Sequence, residues 1–403
     1  MNDRLVLVSD LHLGGGTEAA AAGPWFADPF DQDEAFVQFL THLRDREEGH
    51  PYRLVLLGDT LDFLRVPVIG PRTGLYARDD AEAIGQLDRI HTAHRTVFRG
   101  LADTLASGAR VDVVAGNHDV ELARPAVRDR LRALLSNHGC PPAALTSLRF
   151  HPWGCHVPGL LYAEHGNHYH DINTFDRPLH PFRREGLLER PPAARLGGLH
   201  RLASGPAARP WIRDAMADLL PRRHLGSAAR ASYRGRLPAY ADELGLTADV
   251  AGRLHDLGGT SVLGIARRLL RARFAGGPTF PEQLPQVAAL VHEALSSSGQ
   301  AASFYVFGHI HLAQQVRLPA TRACYLNTGT WSTDGEEPAW ASPRRPGAAR
   351  RTWVEIDPGA GGLPTATLLR WAGVPVELPG PIDSAGELEE MGHDGIGRTD
   401  AAG

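Results

Sequence analysis

Residues 5–13 read LVLVSDLHL: four apolar residues, Leu5-Val6-Leu7-Val8, and then Ser9, Asp10, Leu11, His12 and Leu13. A short apolar run ended by polar residues reads as a buried strand. In the loop beyond a strand end, residues i and i+2 can face one pocket, which pairs Asp10 with His12. The same arrangement recurs along the chain. Leu54-Val55-Leu56-Leu57 precedes GDTLD (Gly58 to Asp62), and Val111-Asp112-Val113-Val114 precedes GNHD (Gly116 to Asp119). Leu160 to Ala163 precedes EHGN (Glu164 to Asn167), and Phe304 to Phe307 precedes GHIH (Gly308 to His311). Helical patterns lie between them. Phe36, Phe39, Leu40 and Leu43 keep helical spacing after Asp31 and Asp33, and a second helix is expected over Asp80 to Ser107, stopped by Gly108. Alternating strands and helices predict an α/β sandwich. In such folds ligands collect outside the carboxyl ends of strands, which is where all five motifs fall.

The motifs supply Asp10, His12, Asp59, Asn117, His165, His309 and His311. Together these offer the oxygen and nitrogen donors that hold two divalent cations side by side, a device suited to phosphate-ester hydrolysis. Asp59 is the candidate bridge, because a carboxylate carries two anionic oxygens. The imidazoles suit Mn, Fe, Zn, Co or Ni rather than Ca or Mg, and Mn is favoured. Each motif alone has a structural reading: GDTLD as a turn into a helix capped by Asp62, GNHD as a left-handed turn after a strand. Their coincidence, in order and after strands, argues for the metal reading.

Composition bounds the remaining possibilities. The chain has 403 residues, 43% hydrophobic and 22% charged, with a net charge of -4. That is the range of globular proteins, and it does not point to a nucleic-acid binder. All basic residues are Arg, which reflects compositional bias rather than function. No apolar run approaches the ~18 residues of a membrane-spanning helix, and no leader-like basic segment precedes an apolar core. Three cysteines, Cys140, Cys155 and Cys324, are too few for a disulfide scaffold and suit a reducing cytoplasm.

The order Asp-x-His, Gly-Asp-x-x-Asp, Gly-Asn-His-Asp, a lone His and Gly-His-x-His resembles the calcineurin-like metallophosphoesterase superfamily. The likeness covers residues 4–173 and 302–372. It implies a four-layer α-β-β-α sandwich of two mixed sheets. It also implies that Asp10, His12 and His311 hold one metal, that Asn117, His165 and His309 hold the other, and that Asp59 bridges them. His118 would stabilise or protonate the leaving oxygen, and the expected nucleophile is a hydroxide held between the metals. Asp119 has two readings, orienting the His118 ring or capping a helix from Val120.

The catalytic domain is thus expected to be discontinuous, 1–173 and 301–375. Residues 174–300 are rich in Arg, Pro and Gly and read as a mainly helical inserted cap, with helices at Trp211–Leu220, Ala239–Leu246 and Val262–Phe274. Arg183, Arg184, Arg222, Arg223, Arg267, Arg268, Arg271 and Arg273 offer phosphate capture or peripheral membrane contact, although a solvated face is the simpler reading. Residues 376–403 read as a disordered tail. His168, His170 and Asp171 read as solvated loop residues, with outer hydrogen bonding to the site as the other reading. His138, Cys140, His151, Cys155 and His156 form a loose cluster, expected to be ordinary packing rather than a zinc site because no Cys-x-x-Cys pair is present. The functional expectation is a metal-dependent phosphoric ester hydrolase acting on a small molecule, nucleotide or lipid headgroup. A DNA nuclease and a non-catalytic protein-binding scaffold are the alternatives.

Overall fold

The computed structural model describes residues 3–23, 26–46, 52–69, 74–170, 173–175, 181–182, 187–191, 193–194, 241–242, 245–258, 280–333, 350–359 and 362–383. The chain opens with strand β1 (Arg4–Val8), helices α1 (Gly16–Ala20) and α2 (Asp33–Arg46), and strand β2 (Tyr52–Leu57). Helices α3 (Asp80–Ala93) and α4 (Arg95–Ala106), strand β3 (Arg110–Val114) and helices α5 (Pro125–Asn137) and α6 (Pro142–Leu145) follow. Next come strands β4 (Leu148–His151), β5 (Gly154–Val157) and β6 (Leu161–Glu164), then helices α7 (Ala248–Gly258) and α8 (Phe280–Ser296). The described chain ends with β7 (Phe304–Phe307), β8 (Ala313–Arg317), β9 (Cys324–Thr328), β10 (Thr352–Asp357), β11 (Thr365–Trp371), β12 (Pro375–Glu377) and β13 (Ile382–Asp383).

The strands form two mixed sheets. One runs β12-β11-β10-β1-β2-β3-β4, the other β13-β8-β9-β7-β6-β5. In the first, β1 to β4 are parallel and β10 joins β1 antiparallel. In the second, β6, β7 and β9 are parallel, flanked by antiparallel β5 and β8.

The apolar runs are continuous because both faces of these strands are buried. On β1 and β2, Val6, Val8, Leu54 and Leu56 pack with α2, α3, α4 and α5 in one cluster. Leu5, Leu7, Val55 and Leu57 turn the other way, into a cluster with Leu161, Ala163, Phe304, Val306 and Leu326 of the second sheet. The opposite face of the second sheet carries Tyr162, Tyr305, Phe307 and Tyr325, which pack on Val250 and Leu254 of α7 and Leu284, Val291 and Leu295 of α8. Phe39 of α2 illustrates the packing. Its ring lies 5.2, 4.9 and 5.9 Å from those of Trp331, Trp353 and Trp371, and truncating a Phe so buried costs about 3–5 kcal/mol.

Four expectations are revised. The helix over Asp80 to Ser107 is broken at His94, with φ -116° and ψ 37°. The His94 ring is held at both nitrogens, Nδ1 2.7 Å from Asp33 Oδ1 and Nε2 2.9 Å from Asp28 Oδ2, and two anchored nitrogens override helix continuity. The 174–300 stretch is not wholly set apart, because α7 and α8 share a core with the second sheet. Of the helix expected at Ala239–Leu246, the described part is helical at 241–242 and has turned by Gly245, at φ +66°. The expected tail begins as structure, since β12 pairs with β11 and β13 with β8. The helices expected at Trp211–Leu220 and Val262–Phe274, the eight Arg residues singled out and residues 384–403 lie outside the described residues.

Candidate metal centre

The loops after β1 and β2 run side by side beyond the strands. Asp10 N–H donates to Gly58 O at 3.1 Å, His12 N–H to Asp59 O at 2.9 Å and Leu13 N–H to Thr60 O at 3.0 Å. Among the described residues, seven non-glycine residues adopt positive φ, and five of them are Asp10 (53°), His12 (56°), Asp59 (49°), His309 (74°) and His311 (57°). A left-handed backbone costs a non-glycine residue energy, and such outliers gather at functional sites. Here the strain turns side chains from both sheets into one crevice. Gly116 completes the arrangement: a Cβ there would lie 2.2 Å from Asp59 Oδ1, so only glycine leaves room for that carboxylate.

Two triads result. Asp10, His12 and His311 place one donor atom each within 4.8 Å of one another, and so do Asp59, His165 and His309. His311 Nε2 lies 3.2 Å from Asp10 Oδ1 and 3.1 Å from His12 Nε2. His165 Nε2 lies 3.1 Å from Asp59 Oδ2, and His12 Nε2 lies 3.8 Å from that same oxygen, so Asp59 faces both triads. Asn117 Oδ1, Asp10 Oδ1 and His165 Nε2 are buried and make no hydrogen bond. Buried polar atoms left in that state cost about 1–3 kcal/mol each unless a ligand satisfies them.

The second oxygens and nitrogens are tied down. Asp10 Oδ2 accepts from His309 N–H at 2.9 Å and from the Ser9 hydroxyl, Asp59 Oδ1 accepts from His118 N–H at 2.8 Å, and His165 Nδ1 donates to Leu57 O at 2.9 Å. Burial works against charge on both carboxyls, yet His165 and His311 hold Asp10, and His165 and His118 hold Asp59, well below the usual carboxylate range. Burial likewise opposes a proton on His165, but Asp59 and Asp10 raise it to about 9. Burial, with His170 and His165 alongside, holds His309 low, so its ring is neutral and an electron-pair donor. A field that holds a proton on His165 also favours a cation in its place, since metal and proton compete for one lone pair. The donor set and its unsatisfied atoms therefore fit a pair of divalent cations.

His118 lies at the mouth of the crevice, its side chain 24% exposed, with Nδ1 2.9 Å from Asp62 Oδ1. The other oxygen of Asp62 is 3.0 Å from His12 Nδ1. Asp62 thus orients two imidazoles at once and also accepts from Arg65 N–H, capping a single 3-10 turn. Neither reading of Asp119 holds. It makes no cap to the turn that follows. Its oxygens accept from Gly116 N–H at 2.6 Å and Thr60 N–H at 2.9 Å, which ties the GNHD and GDTLD loops together. Burial and the neighbouring Asp59 raise Asp119 to about 7.

The segment after β9 buttresses the site: Thr330 Oγ1 donates to Asp10 O at 2.8 Å while Trp331 is buried between Phe36 and Phe39. His168 and His170 are not solvated. His168 is buried against Trp153, and His170 Nδ1 sits 2.9 Å from His309 Nε2. Asp171 lies outside the described residues. Sequence reasoning missed Asn173, whose Nδ2 is 2.9 Å from His170 Nδ1; no motif marks it. Of the loose Cys/His set, His138 pairs with His91 at 2.8 Å, and His156 donates to Gln300 O at 3.0 Å. His151 and Cys155 instead converge with Asp112, a residue hidden in a strand. Protein-family models and curated proteins give no match to the chain.

Proposed function

We propose that the chain is a dinuclear metal-dependent phosphohydrolase of the calcineurin-like metallophosphoesterase superfamily, built as a four-layer α-β-β-α sandwich in which α7 and α8 of the 174–300 stretch belong to an outer helical layer. The observation that carries this reading is the pair of triads, Asp10/His12/His311 and Asp59/His165/His309, each with two buried members and one half-buried imidazole, and with Asp59 between them. Asn117 adds a buried, unsatisfied carbonyl oxygen. These seven residues would hold two ions of the Mn, Fe, Zn or Ni type, for which imidazole-rich donor sets are suited. When bound, such a pair neutralises phosphate charge and lowers the pKa of water for attack on phosphorus.

The chain's own residues do the rest. Asp62 accepts from Nδ1–H of His118 and so fixes the ring, which turns its Nε2 toward the leaving oxygen as the candidate proton donor. Asp62 also sets the His12 ring, so one buried carboxylate aligns leaving-group chemistry with metal holding. The substrate class is a phosphomonoester or phosphodiester of a small molecule, nucleotide or lipid headgroup. The three cysteines are unpaired thiols, which fits a cytoplasmic setting, and no helix among the described residues is long and apolar enough to cross a membrane.

The test is a panel on metal-reconstituted protein: aryl mono- and diesters, cyclic nucleotides, nucleoside diphosphate conjugates and single-stranded DNA. Turnover of a small ester that disappears in folded Asp59→Asn supports the reading. Equal turnover by a metal-loaded Asp59→Asn protein overturns it, and a preference for DNA replaces it with the nuclease.

A further inference from the structure

A second convergence of metal-ligating side chains lies away from the crevice, where the two sheets meet at their edges. β4 is the edge strand of the first sheet and β5 the edge strand of the second, and only Pro152 and Trp153 separate them. Asp112 sits on β3, paired in register with Val55 of β2, on the face that looks toward the second sheet. It is 1% exposed and Cys155 on β5 is likewise 1% exposed, while the His151 side chain at the end of β4 is 22% exposed. One donor atom from each of Asp112, His151 and Cys155 lies within 4.8 Å of the other two. His151 Nε2 is 2.5 Å from Asp112 Oδ1, and the other oxygen, Oδ2, is taken by Arg53 Nε.

We propose that Asp112, His151 and Cys155 bind a zinc-type divalent cation that staples the edges of the two sheets together. A carboxylate is costly to bury; Arg53 Nε takes one oxygen of Asp112 and the His151 ring the other, and a cation would replace the proton shared between Asp112 and His151. The remaining oxygen, an imidazole and a thiol are the mixed hard and soft donors that select zinc over magnesium or calcium. Bonds of about 2.0–2.3 Å separate tetrahedral ligands by about 3.5 Å, so side-chain shifts alone close the group around an ion. Arg53 then plays the outer part, fixing the carboxylate it does not share. Three protein ligands would leave a fourth position for water. Binding releases the thiol proton of Cys155 and the Nε2 proton of His151 to solvent.

The staple would act on the crevice through Trp153. Its indole donates to Glu164 Oε2 at 2.6 Å, next to His165, and its ring lies 5.4 Å from that of His168. A pinned β4–β5 corner holds that wall in place.

Thiolate sulfur separates this site from the dinuclear centre, whose donors are all oxygen and nitrogen. The full chain, stripped with a chelator and titrated with cobalt(II), should develop a thiolate-to-cobalt charge-transfer band in the near ultraviolet. Cys155→Ser, checked for folding by circular dichroism, should lose the band; Cys140→Ser and Cys324→Ser should keep it. His151→Ala, at a partly exposed position, should weaken the cobalt affinity read from the band by about tenfold or more. Asp59→Asn should keep the band while losing cobalt elsewhere. No thiolate band at saturating cobalt, or a band that survives Cys155→Ser, overturns the proposal.

Discussion

Two His–Asp clusters in this protein look alike in composition and differ in bonding. At the break between α3 and α4, His94 spends both ring nitrogens on Asp28 and Asp33, and Asp28 also accepts from the N–H groups of Gly14, Gly16 and Phe30. Every strong donor finds an acceptor inside the chain, and the cluster is closed. In the crevice, Asp10 Oδ1, Asn117 Oδ1 and His165 Nε2 are buried and make no hydrogen bond. A closed cluster does structural work, whereas an open one stores a cost that a ligand relieves. Unsatisfied polar atoms, more than the residue types, distinguish the two.

The largest effect should come from Asp59→Asn in the open cluster. It should lower kcat by about three orders of magnitude, the equivalent of several kcal/mol of charge stabilisation, while circular dichroism stays unchanged. His94→Gln should do the opposite, leaving kcat within a few-fold and lowering stability. A large kcat loss in His94→Gln would erase the distinction.

The closed cluster also carries a pH dependence. Burial pulls against its proton, but Asp28 and Asp33 raise His94 from 6.5 to about 9. A raised pKa means the stabilisation is complete below the unfolded value of 6.5 and fades as pH climbs through about 9, an effect on the order of 3 kcal/mol. Denaturant titrations at several pH values should show the gap between wild type and His94→Gln narrowing across that window. A gap independent of pH would count against the assigned ion pair.

Of these two clusters, only the open one should respond to metal. Saturating Mn at 100 times its dissociation constant should stabilise the chelator-stripped protein by about 2.7 kcal/mol per site. Thermal melts should show the shift in wild type and its reduction in Asp59→Asn. A melt indifferent to Mn would break the comparison.

The smallest of these effects concerns Asp62. Asp62→Asn should cost about 10–100-fold in kcat, as loss of an orienting carboxylate does, while the melting temperature of the chelator-stripped protein stays within a few degrees of wild type. A kcat loss matched by a much lowered melting temperature would assign Asp62 a structural part instead.

Much of this was readable in the linear chain, for a physical reason. Strands buried on both faces must be written as unbroken apolar runs, and Leu5 to Val8, Leu54 to Leu57 and Phe304 to Phe307 are such runs. The donors lie within a few residues of those runs, so motif and strand end are read together. The fine wiring is not local. Asp62 and Asp119 each close a short motif, yet Asp62 faces two imidazoles and Asp119 faces backbone amides. Nothing in GDTLD or GNHD distinguishes them, because the choice depends on how two loops cross.

The sequence by itself determined the alternation of strand and helix, the identity of the donors and their place at strand ends, because each follows from short-range periodicity and side-chain chemistry. Only the tertiary structure decided the left-handed turns that aim the donors inward, the double duty of Asp62 and the break at His94. It also decided the packing of α7 and α8 on the second sheet and the meeting of Asp112, His151 and Cys155 across the sheet edges. These depend on contacts between segments tens to hundreds of residues apart, such as Asp10 with His311 and His12 with Asp62, and no window along the chain spans them.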